Sequence, residues 1–376
     1  MQRAGGGVSA RESATGGGRE RRILENIETA RAKRPRFRDV QITLAHGAGG
    51  KASQTLIEGL LVPALAAGER GALAALADAG AVQAGPARLA ISTDSFVVRP
   101  LRFPGGSIGE LAVNGTVNDL AVCGARPLAL TVAMILEEGL DADVLRGEVQ
   151  AIAAAAAAAN VEVVAGDTKV VERGAADQMY LCTSGVGVLD PRARLAPDAI
   201  VPADRVLVSG PIGEHGTAIM LARGEFELDA QLESDTRSLW PAVDALLDAA
   251  GHDLHCLRDA TRGGVASALN ELARASNVAV LTREADVPVS PLVAAAAELL
   301  GIDPMYIANE GRLVAFVAPH AADAALHALA AVPGCERAAQ IGEVREEPPG
   351  MVLVQTSFGG RRVMDQLVGD PLPRIC

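Results

Sequence analysis

The apolar positions of this chain fall into short runs that switch between a two-residue and a 3.6-residue period, so strands and helices are interleaved throughout. Gln41-Ile-Thr-Leu44 reads as a short strand, followed by the loop His46-Gly-Ala-Gly-Gly-Lys51. Leu56, Ile57, Leu60 and Leu61 then share one helix face. Arg88-Leu-Ala-Ile-Ser-Thr-Asp94 reads as a strand ending on an acid. Ser107, with Glu110 three residues later, predicts a capping box at the start of a helix that runs to about Cys123. A strand over 128–136, a helix over 141–159, an acid-ended strand over 161–167 and its partner over 178–188 complete a first half. The alanine tract from Ala153 needs no explanation beyond high helix propensity.

Residues 191–202, bounded by Pro191 and Pro202, read as a connector. The second half opens on Arg205-Val-Leu-Val-Ser-Gly210, with helices expected near 214–223, 235–250, 263–276 and 290–300. Strands are expected near 278–282, 312–317, 338–344 and 351–355. This order predicts an α+β fold rather than one doubly wound sheet. The domain plan is an extension over 1–39, a first domain over 40–190, a second over 191–362, and a flexible tail over 363–376.

Composition narrows the function classes. Over 376 residues, 49% are hydrophobic and 21% charged, which is a folding composition, and at 2% aromatic the cores must be built from Ala, Val, Leu and Ile. The net charge of −12 argues against non-specific nucleic-acid binding. Residues 1–38 nevertheless carry +6, and the remainder −18. That basic, Gly-rich start lacks the apolar stretch of a secretory signal and reads as a disordered extension. A transit peptide, or a start placed too far upstream, remains an alternative for it. No apolar run approaches the roughly 18 residues of a membrane span. Five scattered cysteines (123, 182, 256, 335, 376) without CxxC spacing fit reduced thiols and a cytoplasmic location.

The chemistry-bearing residues cluster by type. Asp94, Asp119 (after Asn118) and Asp167 lie in one half, two of them at strand ends; their hard oxygens suit Mg²⁺ held with nucleotide phosphates. A lone aspartate at such a place is commonly a turn residue, and the set of three is what raises the metal reading. The loop containing Gly47, Gly49, Gly50 and Lys51 offers backbone N–H groups and an ammonium to phosphate, although it lacks Walker A spacing. Arg258-Asp259-Ala-Thr261-Arg262-Gly-Gly264, at a helix start, has the make-up of an anion site, against the alternative of a capped helix with a surface ion pair. His252-x-x-His255-Cys256 matches no standard metal spacing and reads as a polar loop. Cys123, Cys182 and Cys335 read as packing thiols. Cys376 is the last residue, and ten residues of tail can extend roughly 30 Å to carry its thiol between sites.

Taken in order, Ala45-His-Gly-Ala-Gly-Gly50, Ser92-Thr-Asp-Ser95, Phe103-Pro-Gly-Gly106, Asn118-Asp119, Gly166-Asp-Thr-Lys-Val-Val171, Arg173-Gly-Ala-Ala-Asp177, the Arg258–Gly264 segment, Ala308-Asn-Glu-Gly311 and Pro373-Arg-Ile-Cys376 resemble the HypE family of [NiFe]-hydrogenase maturation factors. The resemblance covers about Ile42 to Cys376 and leaves out only the extension. The wider superfamily includes aminoimidazole ribonucleotide synthetase and selenophosphate synthetase. The resemblance implies a PurM-like two-domain fold: an N-terminal α+β domain that forms a homodimer with a shared β-barrel, and a C-terminal α/β domain. It implies ATP and Mg²⁺ near Asp94, Asp119 and Asp167, with Thr168 beside them. It also implies functional roles for Lys169 and Glu310, Glu310 being the candidate base. HypF is then the expected carbamoyl donor to Cys376, and the HypC–HypD complex the acceptor of cyanide. The implied activity is ATP-dependent dehydration of an S-carbamoyl group on Cys376. Two other readings stay open at this point: another synthetase of the superfamily, or a non-catalytic assembly scaffold. Against the selenophosphate type, no Cys lies near residues 46–51.

Overall fold

The computed structural model describes residues 36–65, 73, 76–224, 232–369, 372 and 374–376. The extension read over 1–39 lies outside the described residues up to position 35. Where the sequence predicts a strand at 41–44, the chain instead forms a 3₁₀ turn, Leu44–Gly47. The Thr43 N–H donates to His46 Nδ1 at 3.0 Å and closes the turn, while Ile42 and Leu44 stand exposed. Helix α1 (Lys51–Leu56) continues through a π-helical stretch (Ile57–Leu61) into α2 (Val62–Leu65). The apolar face is as read, but it is uncovered in the single chain: Ile57, Leu60, Leu61 and Leu65 are all exposed.

The first half is built on a sheet in the order β1-β2-β7-β5-β6. Its strands are β1 (Gly80–Ala84), β2 (Ala87–Phe96), β5 (Ala125–Glu137), β6 (Glu162–Val171) and β7 (Met179–Leu189). A small hairpin, β3 (Arg102–Phe103) and β4 (Gly106–Ser107), leads into helix α3 (Ile108–Val122). Ser107 precedes that helix as expected, but its hydroxyl makes no capping bond. Only β5 and β6 pair in parallel, because helix α4 (Ala142–Ala158) crosses between them. Along β7, Met179, Leu181 and Thr183 are buried, whereas Tyr180, Cys182 and Ser184 lie on the other, open face. Helices therefore cover one side only, as an α+β half requires.

The second half is a seven-stranded sheet in the order β14-β13-β10-β12-β8-β11-β9. Its strands are β8 (Arg205–Val208), β9 (Leu254–Asp259), β10 (Ala279–Arg283), β11 (Leu313–Val317), β12 (Ala339–Arg345), β13 (Met351–Gln355) and β14 (Arg361–Met364). The helices are α5 (Glu214–Ala222), α6 (Trp240–Ala250), α7 (Gly264–Ala275), α8 (Pro291–Leu300) and α9 (Ala322–Ala330). Here both faces are covered. Leu269 and Leu272 of α7 pack with Val206, Val280 and Phe316 on one side. Val243 and Leu246 of α6 and Leu329 of α9 pack with Leu207, Leu257 and Ala315 on the other. Strands β9 and β14 and helix α9 are not announced by the sequence pattern.

Helix α3 is the seam. Thirteen of its fifteen residues are buried, Asn114, Thr116 and Asn118 among them, so the helix is enclosed on every side. Ile108, Leu111 and Val117 join a cluster that also takes in Ile219 and Met220 of α5, while Ala121 and Val122 join the cluster of α6.

The expected flexible tail is instead packed in this structure. Residues 361–364 are strand β14, paired antiparallel with β13. Leu372 and Ile375 are 3% and 1% exposed, inside the cluster around α3. Two apolar residues three apart give too short a pattern to announce burial in sequence, but they are enough to anchor a chain end.

Candidate functional site

Five acidic side chains converge at the seam. Asp94 comes from β2, Asp119 from the last turn of α3, and Asp78 from the bend before β1. Asp259 is the final residue of β9, and Glu310 sits on the loop before β11. Asp78, Asp119 and Asp259 each place one carboxylate oxygen so that all three lie within 4.8 Å of one another. Asp94 neighbours Asp119, whose carboxylate accepts from Ser92 Oγ at 2.5 Å.

So many carboxylates out of water resist ionisation. Burial, reinforced by Asp94, Asp259 and Asp78, holds Asp119 well above the usual carboxylate range. Burial with Asp78 pushes Asp259 up to about 8. Asp94 and Asp78 are raised too, first by burial, with Arg262 and Arg258 respectively opposing. Glu310 is 4% exposed, its Oε1 has no partner, and burial together with Asp259, Asp235 and Asp94 raises it strongly. An orphaned buried oxygen beside three carboxylate oxygens that repel one another is an environment that a hard divalent cation would relieve. Asp78, Asp119 and Asp259, with Asp94 adjoining, therefore fit such an ion.

The cations around the cluster are already held. Arg258 Nη1 is 2.7 Å from Asp78 and 3.5 Å from Glu271. Arg262 Nη1 donates to the Gly47 carbonyl at 3.0 Å, joining the two segments that the sequence offers as phosphate cradles. Close packing at that junction explains two glycines. A Cβ on Gly49, at φ +74°, would meet Arg262 at 3.0 Å, and one on Gly50 would fall 2.4 Å from the Leu367 carbonyl. The loop spends several of its donors internally: Gly49 N–H on Ser53 Oγ at 2.9 Å, Lys51 N–H on Leu367 O at 2.8 Å, and Lys51 Nζ on Asp365 at 2.7 Å. Thr261 closes the turn into α7 by accepting from Gly264 N–H at 2.9 Å.

Two buried asparagines and one aspartate hold the Glu310 loop in place. Asn118 donates to the carbonyls of Arg237 (2.9 Å) and Glu310 (3.2 Å) and accepts from Leu239 N–H (2.7 Å). Asn309 accepts from Gly213 N–H at 2.7 Å and donates to Ala260 O at 2.8 Å. Asp235 accepts from the N–H groups of Glu310 (3.0 Å) and Gly311 (3.3 Å). The sequence offers Asn118 as a nucleotide contact; in the fold its amide is fully used as a brace between the halves.

Asp167, Thr168 and Lys169 are elsewhere. Asp94 lies across from Thr183, Thr183 from Val132, and Val132 from Gly166, three strand spacings or about 14 Å in all. Asp167, one residue on, points to the open face, whereas Asp94 points toward α3. Its carboxylate pairs with Lys169 Nζ at 2.6 Å, and that contact lowers its pKa. Within one chain, then, Asp167 stands apart from the acid cluster, in which Asp78 and Asp259 lie close to Asp119. The sequence presents Asp259 as a nucleotide contact instead. It gives no sign of Asp78, a lone acid between two alanines.

His255 Nδ1 meets the buried Asp204 carboxylate at 2.8 Å, and among the described residues no group able to hold a metal includes it. Burial pushes the Cys256 thiol up to about 12, leaving it inert. Cys376 is half-buried. Its main-chain carboxylate accepts from Val97 N–H at 3.1 Å, just past the end of β2 and three residues beyond Asp94, about 10 Å along the strand.

Residues 76–189 match the family model of the AIR synthase related protein N-terminal domain, and 201–354 that of its C-terminal domain. Carbamoyl dehydratase HypE of Rhodobacter capsulatus is 47% identical over 345 residues, covering 90% of this chain and 99% of the relative. A crystal structure of a HypE–HypF complex superposes with a TM-score of 0.78 at 40% identity, covering 83% of this chain and 99% of that one. Hydrogenase maturation protein HypE in complex with ATP gives a TM-score of 0.74 at 42% identity, covering 89% of this chain and 100% of that one. On these matches, spanning nearly the whole length of each relative, the chain belongs to the HypE carbamoyl dehydratase family.

Proposed function

We propose that this chain uses ATP to convert an S-carbamoyl group on the Cys376 sulfur into a thiocyanate, the source of cyanide for a [NiFe]-hydrogenase iron centre. The observation that carries this reading is the acid cluster of Asp78, Asp94, Asp119 and Asp259 beside the strand whose continuation holds the Cys376 backbone. Asp78, Asp119 and Asp259 would hold Mg²⁺, which neutralises phosphate charge when bound.

The difficult step is loss of the carbamoyl oxygen, a poor leaving group. Its attack on the ATP γ-phosphate forms an O–P bond, releases ADP, and lets the oxygen depart as phosphate. The two amide protons must leave as the C≡N bond forms, one with phosphate and one to a base. Glu310 is suited to be that base, because it is buried and its Oε1 is unengaged; a cation offsetting the neighbouring acids would let it ionise, and its burial then makes the carboxylate a strong proton acceptor. Asn118 and Asp235 keep it aimed by gripping its backbone. Arg262, beside the Gly-rich loop, is placed to offset phosphoryl charge.

Lys169 and Asp167 enter this scheme through a second copy. The edge strand β6 is exposed along its length, and Ile91 and Ile135, on the open face of the same sheet, stand in water in the single chain. Such an edge and apolar face call for a cover. A homodimer closing these sheets into a barrel would cover them and bring Asp167, Thr168 and Lys169 toward the partner's site. HypF as carbamoyl donor fits the HypE–HypF assembly of the related structure, and HypC–HypD is the proposed cyanide acceptor. With no described helix long and apolar enough to cross a membrane, the proposed setting is the cytoplasm.

The test is a single turnover. Carbamoylated protein mixed with Mg-ATP should lose the mass of one water from its C-terminal peptide, and Cys376→Ala should abolish carbamoyl-dependent ATP turnover. Retention of the water mass, or full turnover by the alanine variant, would refute the reading.

A further inference from the structure

The seat of the chain end is built from both halves. The N–H groups of Val97 and Arg99 donate to the main-chain carboxylate of Cys376 (3.1 Å) and the carbonyl of Arg374 (3.3 Å), and Arg374 Nε donates back to Val97 O at 3.2 Å. Arg374 Nη1 reaches Asp177 at 2.8 Å. From the second half, Arg223 Nη2 donates to Arg374 O at 2.5 Å while its Nε holds Arg99 O at 2.7 Å. The remaining carbonyl, that of Ile375, is 2.7 Å from His215 Nε2.

His215 is an uncommon residue to find there. It lies in the first turn of α5, is 0% exposed, and packs edge-on against Phe103 at 5.5 Å. A carbonyl can only accept, so Nε2 carries the proton; Nδ1 then accepts from Ser234 Oγ at 2.8 Å. Burial lowers its pKa and keeps the ring neutral. The ring thus has one donor, and that donor is spent on the chain end. Neither the acid cluster nor the Gly-rich loop touches it.

We propose that His215 is a positioning residue for the reaction: it sets the register of the docked chain end, and with it the place at which Cys376 presents its group to the acid site. This rests on Cys376 being the carrier. Without the Nε2–H···O contact the Ile375 carbonyl loses its buried partner, and the docked state weakens by about tenfold. The group is then seldom in place, although the nucleotide site is intact.

The discriminating pair is His215→Asn and His215→Gln. An Asn amide reaches the Nδ1 position and keeps Ser234 company but falls short of Ile375; a Gln amide reaches the Nε2 position. On unmodified protein, iodoacetamide labelling of Cys376, followed by peptide mass, should be about tenfold faster in His215→Asn and within about twofold of wild type in His215→Gln. The melting temperature and Mg-ATP affinity should be similar in all three. On carbamoylated protein, loss of water should slow about tenfold in the Asn variant and recover in the Gln variant. Arg223→Ala, which releases Arg374 from the same seat, should also expose Cys376 and serves if the Asn variant does not fold. Wild-type labelling rates in both His215→Asn and Arg223→Ala, or a Gln variant as impaired as the Asn one, would overturn the proposal. If wild type itself never loses water, the carrier reading fails instead, and the labelling rates still judge the seat.

Discussion

Two aspartates from the same half of the chain, Asp119 and Asp167, live in opposite worlds. Asp119 is enclosed among Asp78, Asp94 and Asp259, and burial among these neighbours drives its pKa up. Asp167 stands in solvent on an edge strand, satisfied by Lys169, and its pKa goes down. The first is a frustrated charge that needs a cation to come to rest. The second is at rest already and costs the fold nothing to keep. Sequence context makes them look equivalent, since each sits in a short polar motif. A site is marked by unrelieved charge rather than by the presence of acids.

The comparison can be broken at its strong end first. Asp119→Asn should lower ATP-dependent turnover by about 100- to 1,000-fold, the range for removing one preorganised electrostatic partner. The same substitution removes a like charge, so the cation-free protein should melt at a higher temperature than wild type in chelator. A variant that keeps wild-type Mg-ATP affinity by calorimetry would take Asp119 out of the site.

An intermediate effect tests the two-copy reading of Asp167. Asp119→Ala and Asp167→Ala homodimers should each turn over below about a tenth of wild type. A doubly tagged heterodimer of the two should recover about half, because one of its two sites then holds both native residues. No recovery would mean that Asp167 acts, if at all, within its own chain.

The smallest effect is in stability. Asp259 is raised to about 8 in the fold from 3.8. Between those values the folded state binds more protons than the unfolded one, so stability falls as pH rises through this window. The slope is on the order of 1 kcal/mol per pH unit. In chelator the melting temperature should therefore drop between about pH 5 and 8, and Mg-nucleotide should flatten the drop. A profile that rises over that range would contradict the burial of these acids.

Much of the frame is legible in the sequence, for physical reasons that also explain the failures. Helix α3, strands β5 and β7, and helices α5 to α8 of the second half have long periodic runs, and pattern and burial agree there. Strand β9 is hidden because half its positions are His255, Arg258 and Asp259, polar groups with partners that no local pattern reveals. Strand β14 begins Arg361-Arg362 and reads as polar tail until β13 is seen beside it. In the site, Asp94, Asp119, Asp259 and Glu310 stand out in the sequence and are brought together. Asp78 does not, since its role comes from β1 delivering it to Arg258. Lys51 reads by charge alone, and its pairing with Asp365, 314 positions away, is a fact of folding.

The three hydrogen bonds of Asn118 have a further consequence. A side chain 2% exposed that grips Arg237, Leu239 and Glu310 from across the seam ties the two halves together. Enzymes that handle ATP commonly shut out water by closing one lobe on the other. Where the lobes are tied in this way, the part left to travel is the reactant's own tether. Turnover in such a machine would be timed by how often a chain end lets go and returns, a clock that ligands for the chain end can set without ever touching the nucleotide.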